Sequence, residues 1–291
     1  MYQLRRPTAA LLPYVEHYWF VTSSLEAPVD LRVDVFVDAR ADLIFNFGAP
    51  YTRTVIAPRS SGAGAGEARA IGTSNLDAQR LVPIRIEQRG LVRTTGVRFR
   101  LGGLAPFATI ALREVTDRTP RPEEVLGLEA RALEETLRAE LGLDAQAAAL
   151  DAFFVAQLAR APRLEGFTRA LAHAVEARGG ASVEEMAERA GVSSRHLDRL
   201  FAKHLGVPPK TLAKVLRFQC ALGALMREPE GTLADVAATA GYFDQAHFIK
   251  DFRRMTGGVP RGYRGYYPPE GPSDFAPNVV VFLQDAEDVP A

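Results

Sequence analysis

The last third of the sequence repeats itself at a spacing of about 50 residues, and this repeat restricts the fold more than any other feature. The matching positions are a hydroxyl residue, two alanines and a glycine, which are Ser182, Ala187, Ala190 and Gly191 in one copy and Thr232, Ala237, Ala240 and Gly241 in the other. After one extra residue in the second copy, Leu197, Arg199 and Phe201 align with Phe248, Lys250 and Phe252. Such a duplication predicts one supersecondary unit used twice.

Each copy has the pattern of a helix-turn-helix unit. The hydroxyl residue is suited to cap a first helix, and the glycine can end that helix at positive φ. Small alanines allow two helices to cross closely, and apolar positions hold the second helix on the first. These positions are Val183, Met186, Ala187, Val192, Leu197, Leu200 and Phe201 in the first copy, and Leu233, Val236, Ala237, Tyr242, Phe248 and Phe252 in the second. The alternative is a pair of helical hairpins that bind no ligand.

The segment 209–226 joins the copies and carries apolar residues at helical spacing, which predicts a rigid linker helix. With this spacer, two reading helices can enter successive major grooves of a duplex, which lie about 34 Å apart.

The outward positions of each second helix are polar, as hydrogen bonding to base edges in a major groove requires. They are Ser193, Ser194, Arg195, Asp198, Arg199 and Lys203 in the first copy, and Asp244, Gln245, Ala246, His247, Lys250, Arg253 and Arg254 in the second. Each residue alone also fits an ordinary solvated helix face. The charge pattern favours a polyanionic partner, since residues 163–267 carry 16 basic and 11 acidic side chains while the whole chain is neutral.

These motifs resemble the AraC/XylS family of bacterial transcription regulators across residues 167–267. The second copy carries the resemblance through Ala237, Ala240-Gly241-Tyr242, Gln245-Ala246-His247-Phe248, Lys250, Phe252-Arg253-Arg254, Gly257, Pro260 and Tyr263-Arg264. The resemblance implies a sequence-specific regulator whose partner is double-stranded DNA read in two adjacent major grooves, and it leaves both activation and repression open. It implies base or phosphate contacts from Arg195, Asp198, Arg199, Gln245, Ala246, His247 and Lys250. RNA polymerase and a homodimer partner are further expectations.

The first hundred residues are predicted to be rich in β-strands. Alternating or short apolar runs separated by glycine and proline occur at 14–21, 31–37, 42–47, 84–87 and 95–99. The glycine-rich stretch 59–66 is predicted to be a loop, and it lacks the Lys-Ser/Thr that a phosphate-binding loop needs. Many short strands at turn-separated intervals indicate a barrel or sandwich.

The N-terminal region is similar to the small β-rich sensor domains that precede this module in many family members. That similarity implies a small-molecule effector in a pocket inside a cupin-like barrel. The side chains expected to line the pocket are Trp19, Phe45, Phe47, Arg98 and Phe99. Aromatic residues at strand positions are more often part of a core, so this alternative stays open.

The sequence therefore predicts an α+β chain in four parts. Residues 1–120 form a β-rich barrel-like sensing domain, and 121–162 form connecting helices that pack on a neighbouring domain or form a dimer seam. Residues 163–267 form an all-α DNA-binding domain with helix-turn-helix units at 182–206 and 232–257, joined by the linker helix. Residues 268–291 form an acidic tail with strand propensity at 278–285, which is able to return to the N-terminal sheet.

Composition restricts the alternatives. Apolar residues make up 47% and charged residues 24%, which is typical of soluble globular proteins. The sequence contains no apolar run long enough to predict a membrane span. The single cysteine fits a reducing compartment, so a cytoplasmic location is expected. The five histidines have no metal-binding spacing and no nucleophile motif occurs, so no cofactor, metal or catalytic residue is expected. The competing function is a helical adaptor that binds a partner but no specific DNA.

Overall fold

The structure, a computed structural model, describes residues 2–23, 29–56, 66, 68–227, 231–263 and 279–280. It has a β-rich N-terminal region followed by helices, which confirms the predicted α+β class. Most of the glycine-rich loop and most of the acidic tail lie outside the described residues. No helix within the described ranges is long and apolar enough to cross a lipid bilayer.

Within the described residues, ten strands form two five-stranded sheets, which we name the first and the second sheet. The first sheet has the order β1 (Tyr2–Arg5), β2 (Val15–Thr22), β9 (Arg93–Phe99), β4 (Asp42–Asn46) and β7 (Asn75–Asp77). The second has the order β10 (Val279–Val280), β3 (Val29–Val35), β8 (Ile84–Gly90), β5 (Tyr51–Val55) and β6 (Ala68–Ile71). All pairs are antiparallel except β10, which adds to β3 in parallel and so brings part of the C-terminal tail back to the N-terminal region.

Three helices cover the outer face of the first sheet: α1 (Pro122–Leu126), α2 (Glu129–Ala139) and α3 (Leu143–Leu158). Their apolar residues share one buried core with the sheet, as Leu133, Leu150 and Phe154 do with Phe45 and Phe99. The Tyr18 hydroxyl of β2 donates to Asp151 of α3 at 2.8 Å. The first of the two predicted roles for these helices, packing on the neighbouring sheet, is therefore confirmed.

Six helices follow. They are α4 (Glu165–Glu176), α5 (Val183–Ala190), α6 (Ser194–His204), α7 (Pro209–Arg227), α8 (Leu233–Thr239) and α9 (Gln245–Thr256). The pairs α5–α6 and α8–α9 are the two copies of the repeat. Helix α7 joins them, and at 1.5 Å per residue its 19 residues span about 28 Å. Its buried Leu216, Phe218 and Leu222 belong to the same core as both copies.

A short segment of the N-terminal region packs into this helical core. The alternating pattern predicted a strand through Val37, but β3 ends at Val35, and Phe36 and Val37 are buried among the helices instead. The Val37 amide donates to the Met255 carbonyl of α9 at 3.3 Å, and the Gln219 side-chain amide of α7 donates to the Val37 carbonyl at 2.5 Å. The Phe36 ring contacts the edge of Tyr263. We name residues 36–40 the inserted segment.

The facing sides of the two sheets are joined by buried polar side chains. Arg98 of β9, which is fully buried, pairs with Asp42 of β4 and with Asp38 of the inserted segment. Arg80 pairs with Asp38 and with Asp77, and Arg53 of the second sheet lies 3.6 Å from Asp77. We name these six residues the ion-pair cluster. Although burial disfavours its charge, Asp38 and Asp42 raise the pKa of Arg98 above its ordinary value.

Because Arg98 pairs with two buried carboxylates, we expect its replacement to destabilise the folded protein strongly. Replacing Arg98 by Met leaves Asp38 and Asp42 buried with less positive charge around them, and breaking a buried pair from one side costs about 3–5 kcal/mol. We expect the free energy of unfolding, measured by urea denaturation, to fall by about that amount. Arg32→Met is the control, because Arg32 is 60% exposed and 3.7 Å from Glu87, and it should change stability by less than about 0.5 kcal/mol. Equal stability of the two variants would contradict this role of Arg98.

Candidate nucleic-acid interface

The two copies begin with the same hydrogen-bonded cap. Ser182 accepts from the Glu185 amide at the start of α5, and the Glu185 carboxylate accepts from the Ser182 amide. Thr232 and Asp235 form the same reciprocal pair at the start of α8. In both cases the bonds lower the pKa of the carboxyl group. The predicted N-caps are thereby confirmed, and they fix where each first helix starts.

The turns after α5 and α8 also correspond. Gly191 ends α5 at a φ of 70°, and Gly241 adopts a φ of 75° just after α8. Positive φ at these two sites explains why the repeat retains glycine there. The next residue, Val192 or Tyr242, donates its amide to the carbonyl of Ala187 or Ala237. The two turns thus begin with the same backbone hydrogen bond.

Helix α6 is anchored by Leu197 and Phe201, which are both fully buried. The predicted residues Arg195, Asp198, Arg199 and Lys203 are all exposed, whereas Ser194 is half-buried. The Arg199 guanidinium lies 3.2 Å from Nδ1 of His196 on the same helix. The outer side of α6 therefore presents three cations and one carboxylate to solvent.

Helix α9 is anchored by Phe248 and Phe252 and exposes Gln245, Ala246, Lys250, Arg253 and Arg254. His247 differs from these residues because it is half-buried and its Nε2 lies 3.7 Å from the Asp251 carboxylate. Its ring also meets the edge of Tyr242 at 5.2 Å between centroids. His247 therefore packs on Tyr242 in the turn before α9, and it also borders the exposed face of the helix.

Two residues expected on the reading faces also cap helices. Ser193 accepts from the His196 amide at 3.3 Å, and Asp244 accepts from the His247 amide at 2.7 Å. Both residues lie directly ahead of a second helix, and this position by itself indicates an N-cap. Because the Asp244 carboxylate is bonded to the helix start, its negative charge compensates the free amides there.

One exposed residue beside α9 was missed by the sequence interpretation. Phe243, directly before the Asp244 cap, is 93% exposed, the largest exposure among the large apolar side chains that the structure describes. The sequence did contain a signal, because Phe243 lies where the second copy needs one extra residue in its turn.

The five side chains expected to line an effector pocket lie on opposite faces of the first sheet. Phe45, Phe47 and Phe99 pack towards the covering helices, where two arginines, Arg93 and Arg138, lie over the Phe47 ring. Trp19 and Arg98 face the second sheet, with the Trp19 ring against Gly96 and Arg98 in the ion-pair cluster. The structure does not bring the five together.

A cavity of about 740 Å³ lies elsewhere, between the N-terminal region and α4. Its apolar lining includes Leu101, Pro106, Phe167, Leu171 and Val175. The charged residues along it are Arg40, Arg100, Arg163, Arg169 and a single acid, Glu165. The lining thus combines apolar residues with four arginines and touches both regions of the chain. Arg40 pairs with Glu16, and Arg163 and Arg169 both lie within 4.0 Å of Glu165.

Two protein-family models match the chain, one in each part. A helix-turn-helix domain model matches residues 186–266, which run from α5 past the end of α9. A domain of unknown function (DUF6597) matches residues 3–121, which include strands β2 to β9 and end just before α1.

Curated relatives match over less than a third of the chain. The chain is 35% identical over 79 residues to the HTH-type transcriptional regulator GlxA of Rhizobium meliloti strain 1021, covering 27% of this chain and 24% of that protein. It is 29% identical over 83 residues to the putative HTH-type transcriptional regulator YkgA of Escherichia coli K12, covering 28% and 34%. The chain thus spans about a quarter to a third of the length of these relatives.

Solved structures show two kinds of likeness. The DNA-binding domain of the global transcriptional factor AdpA, in complex with a target DNA, is 27% identical, with 38% of this chain and 99% of that chain covered at a TM-score of 0.33. Wild-type ToxT of Vibrio cholerae strain SCE256, bound to an unsaturated fatty acid, is 12% identical, with 84% and 94% covered at a TM-score of 0.40.

The exposed cations of α6 and α9 give a direct prediction. We expect Arg199→Ala and Lys250→Ala each to weaken binding to a duplex selected by the wild-type chain by roughly 1–3 kcal/mol, about 5- to 150-fold in Kd. Because both side chains are exposed, the unfolding temperature should stay nearly unchanged. A gel shift at one fixed salt concentration measures the effect, with Arg131→Ala on the exposed side of α2 as the control. Unchanged affinity in both variants would remove these residues from the interface.

Proposed function

We propose that the chain is a transcription regulator of the AraC type that recognises specific double-stranded DNA with α6 and α9. The helix-turn-helix domain model that matches residues 186–266 supports this. The observation that carries the proposal is the repeat itself. Both copies have the same caps and turns, and both second helices are buried on one side and basic on the other. The proposed activity is binding, without a catalytic step.

The proposal divides the chain by role. Residues 1–120 act as a sensing domain, 121–162 connect it, and 163–267 bind DNA. In a helix-turn-helix unit the first helix lies across the phosphate backbone and the second helix contacts base edges. Contacts to phosphates therefore give affinity for DNA, and α6 and α9 give selectivity for its sequence. A homodimer and a contact with RNA polymerase remain predictions from the family resemblance.

The proposed effector binds in the cavity beside α4. Its volume lies within the range of small-molecule sites, about 300–1,000 Å³. The apolar lining and the excess of arginine suit a molecule with an apolar body and an acidic group. Gly102 supports a coupling role because a Cβ at this position would lie 2.4 Å from Leu171 of α4, so glycine allows the N-terminal region to approach α4 closely at the wall of the cavity.

Selection of genomic DNA fragments by the purified chain, sequenced at two salt concentrations, tests the DNA-binding proposal. We expect an enriched motif of two short blocks about one helical turn apart, because two reading helices enter successive major grooves. Affinity should fall steeply between the two salt concentrations, as phosphate contacts require. Binding without any enriched motif would contradict sequence specificity. Absence of duplex binding even at low salt would favour the helical adaptor instead.

A thermal-shift screen tests the effector site. The probes are a panel of aliphatic and aromatic carboxylic acids, with the corresponding amides as uncharged controls. A ligand of the cavity should raise the unfolding temperature of the wild-type chain by mass action, whereas Ala172→Trp, which fills the cavity, should abolish the shift. Ala152→Trp on the exposed side of α3 is the matched control and should keep it. Equal shifts in both variants would place the effector elsewhere.

A further inference from the structure

Phe243 is an exposed aromatic ring without a role in the fold. At 93% exposure it contributes little to any core, and the next most exposed large apolar residue in the described part of the chain, Leu141, reaches 74%. A phenylalanine left in water loses the stabilisation that its burial would give, roughly 1.5–3 kcal/mol. The Phe243 side chain therefore does not stabilise the folded state of the free protein.

The repeat shows that the turn does not require this residue. In the first copy Gly191 and Val192 are followed at once by the cap Ser193. In the second copy Gly241 and Tyr242 make the corresponding turn, with Tyr242 bonded to Ala237 at 2.9 Å as Val192 is bonded to Ala187 at 3.0 Å. Phe243 is then inserted before the cap Asp244. The first copy is thus an internal control that forms the same motif without an equivalent of Phe243.

The insertion lies at the end of α9 that approaches bases. The N-terminal residues of a reading helix contact base edges in the major groove. Asp244 is bonded to the His247 amide at 2.7 Å, which keeps its carboxylate at the helix start. Gln245 and Ala246 follow and are exposed. Phe243 therefore borders the same edge of the proposed interface, directly ahead of the cap.

An apolar group at this place has one natural target on DNA. The major-groove edge of thymine carries a C5 methyl group, whereas the other base edges offer hydrogen-bond donors and acceptors. We propose that Phe243 is a specificity-determining residue that packs on the C5 methyl group of a thymine under the start of α9. This inference rests on the proposed DNA-binding function.

Replacing single thymidines by deoxyuridine in the selected duplex tests the contact, because that change removes the methyl group and keeps the base pair. The wild-type chain should lose about fourfold in affinity at one thymine of the block read by α9, the factor for about 0.8 kcal/mol of one buried methyl group. Phe243→Ser should be insensitive to the same replacement, and Phe243→Leu should keep part of the discrimination. Fluorescence anisotropy at fixed salt measures each Kd.

Leu141→Ala is the matched control, since it removes another exposed apolar side chain far along the chain and should leave the discrimination at its wild-type value. The unfolding temperature of Phe243→Ser should not fall, given the exposure of the ring. Equal thymine preference in wild type and Phe243→Ser, or no position sensitive to the methyl group, would overturn the inference and leave the DNA-binding proposal intact. Failure of the wild-type chain to bind any duplex would overturn both.

Discussion

The burial of Phe36 and Val37 among the helices determines how the repeat is placed relative to the two sheets. Val37 is bonded through its amide to the end of α9 and through its carbonyl to α7, so one residue of the N-terminal region holds the linker and the second copy together. A second contact involves the first copy, where the Thr116 hydroxyl donates to the Gly206 carbonyl at 2.9 Å. A side chain at position 206 would approach Thr116 Oγ1 to 2.6 Å, so the close approach depends on glycine.

The inserted segment also belongs to the interior of the sheets. Its Asp38 carboxylate pairs with Arg98 and Arg80, one residue beyond the backbone groups that hold α7 and α9. Ala39 follows with a φ of 55°, a conformation that is uncommon for a residue with a Cβ and persists where its surroundings fix it. The ion-pair cluster and the helical core are thus connected over three residues of covalent chain. A buried charge is costly to move without its partners, which makes this connection stiff.

The sequence was sufficient for the repeat and its caps because these depend on local rules. A hydroxyl residue at Ser182 or Thr232 and a glycine at Gly191 act within one helical turn of their neighbours. The ion-pair cluster was beyond reach, since alternating polar positions such as Asp42 and Arg98 ordinarily indicate a face in water. Here two polar faces, one from each sheet, lie against each other. This arrangement depends on how strands far apart in the sequence pair, and the local pattern does not contain that information. For the same reason Trp19 and Phe45 could not be assigned to opposite faces of one sheet. The same side-chain oxygen caps helices and recognises bases, so residue type did not separate the two roles of Ser193 and Asp244.

The packing of Trp19 against Gly96 has a spectroscopic consequence. This is the single tryptophan of the chain, and its ring lies on the side of the first sheet that faces the second sheet, on the strand next to Arg98. Helices α4 to α9 contain no indole, so intrinsic tryptophan emission is a local probe of the space between the sheets. A change in its wavelength or intensity when the helical part is occupied would report a signal that has travelled through the molecule, read without any added label.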